Sequence, residues 1–349
     1  MEEVRTDINK WRAGNDKEPI ALATVIQTWG SAPRKAGAKM ALTPDGKLSG
    51  SVSGGCVEGA VFEEGREALA KQRAKLLSFG VADETAWEVG LACGGNIQVF
   101  VEPLALNEAV YTAVDKLMAA ERAAATATVI GGDESLLGRK LLVTGEGERV
   151  GGVNTAVDNA LAPLLQKAIQ QGQSQRFSLP DLAANDLDIF VDVYLPPPQL
   201  IMVGGVHIAI ALTALAKTLG YRTIVVDPRK AFGSEARFEH VDELVQLWPK
   251  KAFAGLTVNE NTAVALLTHD PKIDDPALHA VLTSPAFYIG ALGSNRTHAK
   301  RVARLAEAGF TLEQINRIHG PIGLDINAQN PEEIALSVLA EIVQVRRSA

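Results

Sequence analysis

Residues 199–227 read QLIMVGGVHIAIALTALAKTLGYRTIVVD, and this stretch decides the fold. The apolar run Gln199–Val203 predicts a buried strand. Ile208–Leu219 has helical spacing and is stopped by Gly220, and Arg222–Val226 predicts the next strand. Strand, glycine turn, helix and strand in that order open a doubly wound parallel sheet. The pattern continues downstream with strands at Ala263–Leu267 and Phe287–Ile289. A helix over Thr297–Ala308 is closed by Gly309, and a long terminal helix covers Glu332–Val345. Gln199–Ala216 carries no Asp, Glu, Lys or Arg and is long enough for a membrane span. Gly204, Gly205 and His207 interrupt it, so a strand running into a helix is the better reading.

Working outward, Pro196-Pro197-Pro198 stiffens the backbone and marks a boundary. It separates an N-terminal mixed α/β domain, 1–195, from a C-terminal Rossmann-like domain with a parallel sheet, 199–349. Strands are expected in the first domain at Ile20–Gln27, Lys39–Leu42, Lys47–Val52, Leu76–Phe79, Ile97–Val101, Thr126–Ile130, Lys140–Val143 and Leu187–Tyr194. Helices are expected at Val57–Lys71, Asn107–Ala120 and Ala156–Gln171. No internal repeat is visible, and Ala119–Ala127 and Gln166–Gln175 read as solvated helix faces or loops.

The chain has 349 residues, and a domain takes roughly 100–200, which agrees with two domains. Lys plus Arg is 34 against 41 for Asp plus Glu, a net charge of −7. Nucleic-acid binding, which needs a basic field, is disfavoured. Two cysteines cannot build a disulfide framework, and the polar N-terminus carries no apolar segment of a secretory signal. A soluble, cytoplasmic protein is expected.

Gly204-Gly205-Val206-His207-Ile208-Ala209 sits where a dinucleotide fold places its phosphate-binding turn, and Asp227 ends the second strand where a ribose hydroxyl would be met. Gly204 and Ala209 fit the pattern. Val206 occupies a position where glycine lets backbone approach a pyrophosphate. His207, Asp227, Thr268-His269-Asp270 and Gly290–Arg296 all follow predicted strands, the side of an open α/β sheet where ligands bind. Within the last group, Gly290 and Gly293 shape a loop, Ser294 is an N-cap and Arg296 a bidentate anion contact. Taken singly, each also reads as an ordinary turn or cap.

Cys56, in Ser53-Gly54-Gly55-Cys56-Val57-Glu58, precedes a predicted helix whose positive N-terminal dipoles favour a reactive thiolate; Glu58 opposes that effect. Cys93 also borders a glycine pair. An inert buried thiol is the plain alternative. No C-x-x-C, zinc-helix histidine pair, G-x-S-x-G elbow or P-loop is present. The basic segment 31–39 could grip a phosphate, but an ordinary surface hairpin is the better reading.

Several segments in order resemble the XdhC/CoxI family of molybdoenzyme accessory proteins. They are Thr28–Arg34, Gly54–Glu58, Cys93-Gly94-Gly95, Gly204–Ala209, Val226–Arg229, Thr268–Asp270, Tyr288–Ser294, His319–Ile326 and Pro331–Ala335. The likeness runs from Ile20 to Val345 and is weakest over Asn107–Leu187. It implies a two-domain maturation and insertion factor, an accessory chaperone rather than a free-standing catalyst. Such a factor binds molybdenum cofactor (molybdopterin), assists its sulfuration and delivers it to a xanthine dehydrogenase-type apoenzyme. A cysteine desulfurase and a second copy in a homodimer are the implied partners.

On that resemblance the pterin phosphate would rest on backbone at Gly204, Gly205, Val206 and the Gly290–Ser294 loop. His207, Asp227, His269 and Arg296 would be polar contacts. Cys56 would face the metal, as a molybdenum contact, or the incoming sulfur. The family turn usually reads G-x-G-H, so Val206 is a departure. Two rival expectations remain: an NAD(P)-dependent oxidoreductase, which Val206 argues against, and a cofactor-free adaptor that docks proteins.

Overall fold

The computed structural model describes residues 1–13, 18–29, 34–80, 96–180 and 186–348. Cys93, its glycine pair and residues 30–33 of the first resemblance segment lie outside the described residues. The chain divides into two compact units, Met1–Pro196 and Pro197–Ala349.

The first unit runs α1 (Glu2–Arg12), β1 (Ala21–Trp29), β2 (Lys39–Leu42), β3 (Leu48–Gly50), α2 (Glu58–Lys71), β4 (Lys75–Phe79) and β5 (Asn96–Pro103). It continues with α3 (Glu108–Ala119), β6 (Ala124–Gly131), β7 (Lys140–Thr144), β8 (Arg149–Gly151), α4 (Thr155–Gln171), β9 (Gln175–Leu179) and β10 (Leu187–Tyr194). Two five-stranded antiparallel sheets result, ordered β3-β2-β1-β5-β4 and β8-β7-β6-β10-β9. The two orders are the same. The unit is an internal duplication of topology, contrary to the expectation of no repeat.

The register makes the equivalence residue by residue. Thr24 lies opposite Lys39 and Phe100, while Thr128 lies opposite Lys140 and Phe190. A Cβ on Gly50 would run into the Lys39 carbonyl and Val4, and one on Gly151 into the Lys140 carbonyl and Val110. Helices α2 and α4 both end on a left-handed residue, Gln72 and Gly172. The repeat hid from the sequence because sheet registers recur while most side chains differ.

Each helix covers one sheet. Val57, Val61 and Leu69 meet Ala21, Ala23 and Val25, and Val157, Leu161 and Leu165 meet Ala125, Ala127 and Val129. Between the sheets lie Ile26, Phe100, Ile130 and Phe190. A strand covered on both faces is buried at every position, which explains why the small residues Ala124–Ala127, Thr126 among them, are all out of solvent. That run is fully buried in β6 rather than solvated. The middle layer also holds two ion pairs exchanged between the repeats, Lys39–Asp192 at 2.6 Å and Lys140–Glu102 at 2.8 Å.

The second unit runs β11 (Gln199–Val203), α5 (His207–Thr218), β12 (Arg222–Val226), β13 (Glu243–Val245), α6 (Pro249–Gly255), β14 (Thr262–Leu266) and α7 (Pro271–Val281). It closes with β15 (Tyr288–Ala291), α8 (Asn295–Glu307), α9 (Leu312–Ile315), β16 (Ile318–His319) and α10 (Pro331–Ser348). Its six strands pair in parallel in the order β13-β12-β11-β14-β15-β16. Counted from the first, that is the 3-2-1-4-5-6 order of a dinucleotide fold, whose ligand crevice opens beyond the first and fourth strands. Alternate residues of β11 feed two layers. Ile201 and Val203 pack with α7 and α8, and Leu200 and Met202 with α5 and α10. No described helix is long and apolar enough to cross a membrane.

Candidate functional site

Cys56 sits half-buried in the turn before α2, its N–H donating to Ser53 Oγ at 3.0 Å. Glu58 organises this turn. Its carboxylate accepts from Ser51 Oγ (2.7 Å), Ser53 Oγ, and the N–H groups of Val52, Ser53, Gly54 and Gly55 (2.8–3.2 Å). Burial works against its ionisation, yet these bonds hold the carboxyl at about 2. The negative charge is therefore committed to the loop.

The duplication supplies an internal comparison. Aligned on Gln72 and Gly172, the helices set Glu58 against Asp158 and Cys56 against Ala156. Asp158 takes the corresponding place in the second repeat and accepts one backbone bond, from Val153 N–H at 2.8 Å. There α4 begins at Thr155 with Asn154 as its N-cap. In the first repeat the matching turn is unwound: α2 begins only at Glu58, and Gly54 (φ +80°) and Gly55 (φ +120°) hold left-handed backbone. No described residue lies within 4 Å of where a Gly55 Cβ would be. In the second repeat Gly151 (φ +75°) and Gly152 (φ +153°) precede the Asn154 cap, so a glycine pair ahead of the helix is common to both repeats, and what the first repeat has alone is the later helix start and the Cys56 thiol.

In the second unit, the turn after β11 is closed by the chain itself. Asp227 is fully buried and accepts from Gly205 N–H at 2.7 Å and from the Arg229 guanidinium at 2.7 and 2.9 Å. Burial pushes its carboxyl up, but these partners carry it below the usual carboxylate range. Arg229 stacks on Phe232 at 4.1 Å. A Cβ on Gly205 would meet the Phe232 carbonyl, and one on Gly204 (φ +111°) the Thr268 methyl. Both glycines admit the protein's own loops.

The other sequence-predicted residues reach the same carboxyl edge of the sheet. Val206 stands at the N-cap of α5 without a side-chain cap bond, and His207 and His269 are exposed. Gly290 is buried against Tyr288 and Ile322, and Gly293 (φ +143°) closes on Thr297. Ser294 caps α8 by accepting from Thr297 N–H, and Arg296 is exposed in its first turn.

The structure adds groups that sequence reasoning did not single out. Arg301 is 1% exposed; its Nη2 donates to the Leu292 carbonyl at 2.9 Å and lies 3.7 Å from Asp274. Its Nε and Nη1 have no hydrogen-bond partner among the described residues. Burial pushes the Asp274 carboxyl up to about 6, against the Thr268 hydroxyl and Arg301, which act to lower it. Glu341 on α10 accepts from Tyr288 OH and from Gly323 N–H, and holds His319 Nδ1 at 3.2 Å. His319, Tyr288, Thr268 and Gly323 lie in segments that the sequence marks out, whereas Arg301, Asp274 and Glu341 do not. A buried arginine on a helix as polar as α8 gives no signal of its own, because its burial depends on packing against α7.

Residues 200–342 match the model of the XdhC Rossmann domain, and residues 13–80 that of the XdhC and CoxI family. A Bacillus subtilis (strain 168) protein named as a probable xanthine dehydrogenase subunit is 30% identical over 336 residues, 95% of this chain and 94% of that one. The molybdenum cofactor insertion chaperone PaoD of Escherichia coli (strain K12) is 28% identical over 326 residues, 93% of this chain and 83% of that one. A Bacillus halodurans crystal structure described as a xanthine dehydrogenase aligns with a TM-score of 0.76 at 25% identity, covering 99% of this chain and 96% of that one. Matched in both of its units, and alike to a relative over nearly its whole length, the chain belongs to the XdhC and CoxI family.

Proposed function

We propose that this chain is a molybdenum-cofactor insertion chaperone that binds the cofactor, assists its sulfuration and passes it to a xanthine dehydrogenase-type hydroxylase. The observation that carries this reading is the contrast between the repeats. The scaffold carboxylate occurs in both, whereas the unwound Gly54-Gly55 turn and the Cys56 thiol occur in one. Relatives named for cofactor insertion and for xanthine dehydrogenase supply the cargo and the client.

The carboxyl edge of the second unit fits the cofactor's phosphate. It offers the first turn of α5, which no side chain caps, and the buried Arg301 with two unspent donors behind the Gly290–Ser294 loop. Backbone at Val206, His207, Gly293 and Ser294 would hold the phosphate, with Arg296 and His269 on the solvent side, while Gly290 stays in the β15 ladder beneath. Gly204, Gly205 and Asp227 would shape the turn beneath. When bound, the cofactor supplies the metal whose oxo ligand is exchanged for sulfido. Cys56 is the residue for the metal or for sulfur delivered by a cysteine desulfurase. A cytoplasmic homodimer is the proposed working form.

A nicotinamide cofactor fits less well. Asp227, which would meet its ribose, is spent on Gly205 and Arg229, and the face of Gly205 is filled by Phe232.

The test is activation of a purified apo-hydroxylase by this chain together with cofactor and a cysteine desulfurase. Wild-type protein should raise hydroxylase activity, and Cys56→Ser should lose most of that gain while keeping its fold and its cofactor. Undiminished activation by Cys56→Ser would remove the thiol from the account, and no activation by wild type would remove the chaperone role.

A further inference from the structure

We propose that His319 is a ligand-contacting residue of the second unit, presenting Nε2 to a phosphate-class oxyanion, with Glu341 and Tyr288 as its positioning residues. The inference rests on the reading of the carboxyl edge as a cofactor seat and adds a contact to it. His319 is the last residue of β16, paired in register with Gly290 of β15. That end of β16 belongs to the carboxyl edge of the parallel sheet, one strand beyond the loop that follows Ala291 and two strands from β14.

The ring is held from two directions. Its Nδ1 meets Glu341 Oε1 at 3.2 Å, and its face stacks on Tyr288, centroids 4.7 Å apart. Glu341 Oε2 is fixed in turn by Tyr288 OH and by Gly323 N–H at 2.8 Å. Burial works against the charge on Glu341, but these bonds keep its carboxyl below the usual range. An ionised carboxylate only accepts, so Nδ1 carries a proton; Nε2 is the outward nitrogen, and it meets an oxyanion as the second N–H of an imidazolium, in which both ring nitrogens donate. No described residue bonds to Nε2, and the His319 side chain keeps 33% of its exposure while Glu341 keeps 14%. Fastening α10 to the sheet needs Nδ1 alone. A ring whose rotation is already lost binds through its second nitrogen at little further entropic cost.

Two substitutions separate the nitrogens. His319→Asn places an amide donor near Nδ1 and nothing at Nε2; His319→Gln does the reverse. Affinity for molybdenum cofactor and, separately, for inorganic phosphate would be measured for each, alongside the unfolding midpoint. His319→Asn should keep the wild-type midpoint and lose roughly tenfold in affinity for both probes, a single charge-assisted bond. His319→Gln should bind more tightly than His319→Asn. In wild type, a phosphate titration followed by imidazole 15N NMR should move His319 Nε2 saturably and leave Nδ1 in place.

Wild-type affinity in His319→Asn, or an Nε2 resonance that phosphate does not move, would overturn the assignment. Cofactor binding indifferent to His319→Asn would remove His319 and leave the chaperone reading standing. A phosphate response in a wild-type protein that takes up no cofactor would keep the oxyanion contact and remove the cofactor from it.

Discussion

Glu58 places a full negative charge inside a turn of four backbone N–H donors and two hydroxyls. Its carboxyl falls from 4.5 to about 2 on folding, so its stabilisation is complete above 4.5 and is lost as pH drops toward 2. Stability measured against pH should therefore differ between wild type and Glu58→Gln by a constant above pH 4.5, with the difference vanishing near pH 2. Amide exchange over 52–55 should quicken in Glu58→Gln, since charge-assisted bonds become neutral ones. From sequence, the glycine turn and the thiol before α2 are legible; the second glycine pair, Gly151-Gly152 before α4, shows that such a pair does not by itself mark a thiol site. The role of Glu58 is not legible: sequence sets it against the thiol, and the structure turns it onto the loop amides. Sequence adjacency says that two groups are near and not which way a carboxylate turns.

Between elements, the buried charges act as fasteners. Lys39 of β2 pairs with Asp192 of β10, and Lys140 of β7 with Glu102 of β5, so each repeat supplies a cation to the other's acid. Lys39→Met should cost roughly 3–5 kcal/mol by leaving Asp192 buried and unpaired. Adding Asp192→Leu should restore much of that loss in urea unfolding, since an apolar pair of similar volume replaces the ions. Asp274 of α7 behaves in the opposite sense to Glu58. Its folded carboxyl is raised from 3.8 to about 6, so its contribution is fullest below 3.8 and declines as pH rises through about 6. Asp274→Asn should flatten the stability profile over that interval.

Most strands and long helices are legible at this scale, since periodicity survives in apolar runs such as Arg222–Val226 and Leu187–Tyr194. Helix α7 is not. Pro271 and Pro276 disguise it, although Pro271 sits at the first turn where no N–H is needed. Strand β13 is three half-buried residues, too short to show a period.

At the scale of the whole molecule, the chain joins two architectures: a duplicated unit with one unwound turn, and a parallel-sheet unit of dinucleotide-type strand order. The duplication allows a transplant. Cys56→Ala combined with Ala156→Cys returns a thiol to the chain, but at the helical first turn of α4 rather than in an open loop. It should not restore hydroxylase activation; full restoration would show that the unwound turn is dispensable. The doubly wound parallel sheet is readable from residues 199–227 and the alternation that follows them; the order of its six strands is not, since β13 and β16 are too short to show in the sequence. What the turn after β11 holds is not readable either, because the packing of Phe232 and Arg229 onto Gly205 and Asp227 comes from a loop whose path no local pattern fixes.

The central claim is that the protein carries molybdenum cofactor, and its most direct test is the pterin content of the protein itself. It would be purified from cells that make the cofactor and from cells that cannot, saturated with added cofactor in a second aliquot, and assayed for fluorescent pterin after acid and iodine oxidation. Near-stoichiometric pterin is predicted in protein from competent cells and in both saturated aliquots, with none in unsaturated protein from deficient cells. Protein that holds no pterin from competent cells and takes up none when cofactor is added would contradict the account and favour an adaptor that docks proteins without cargo.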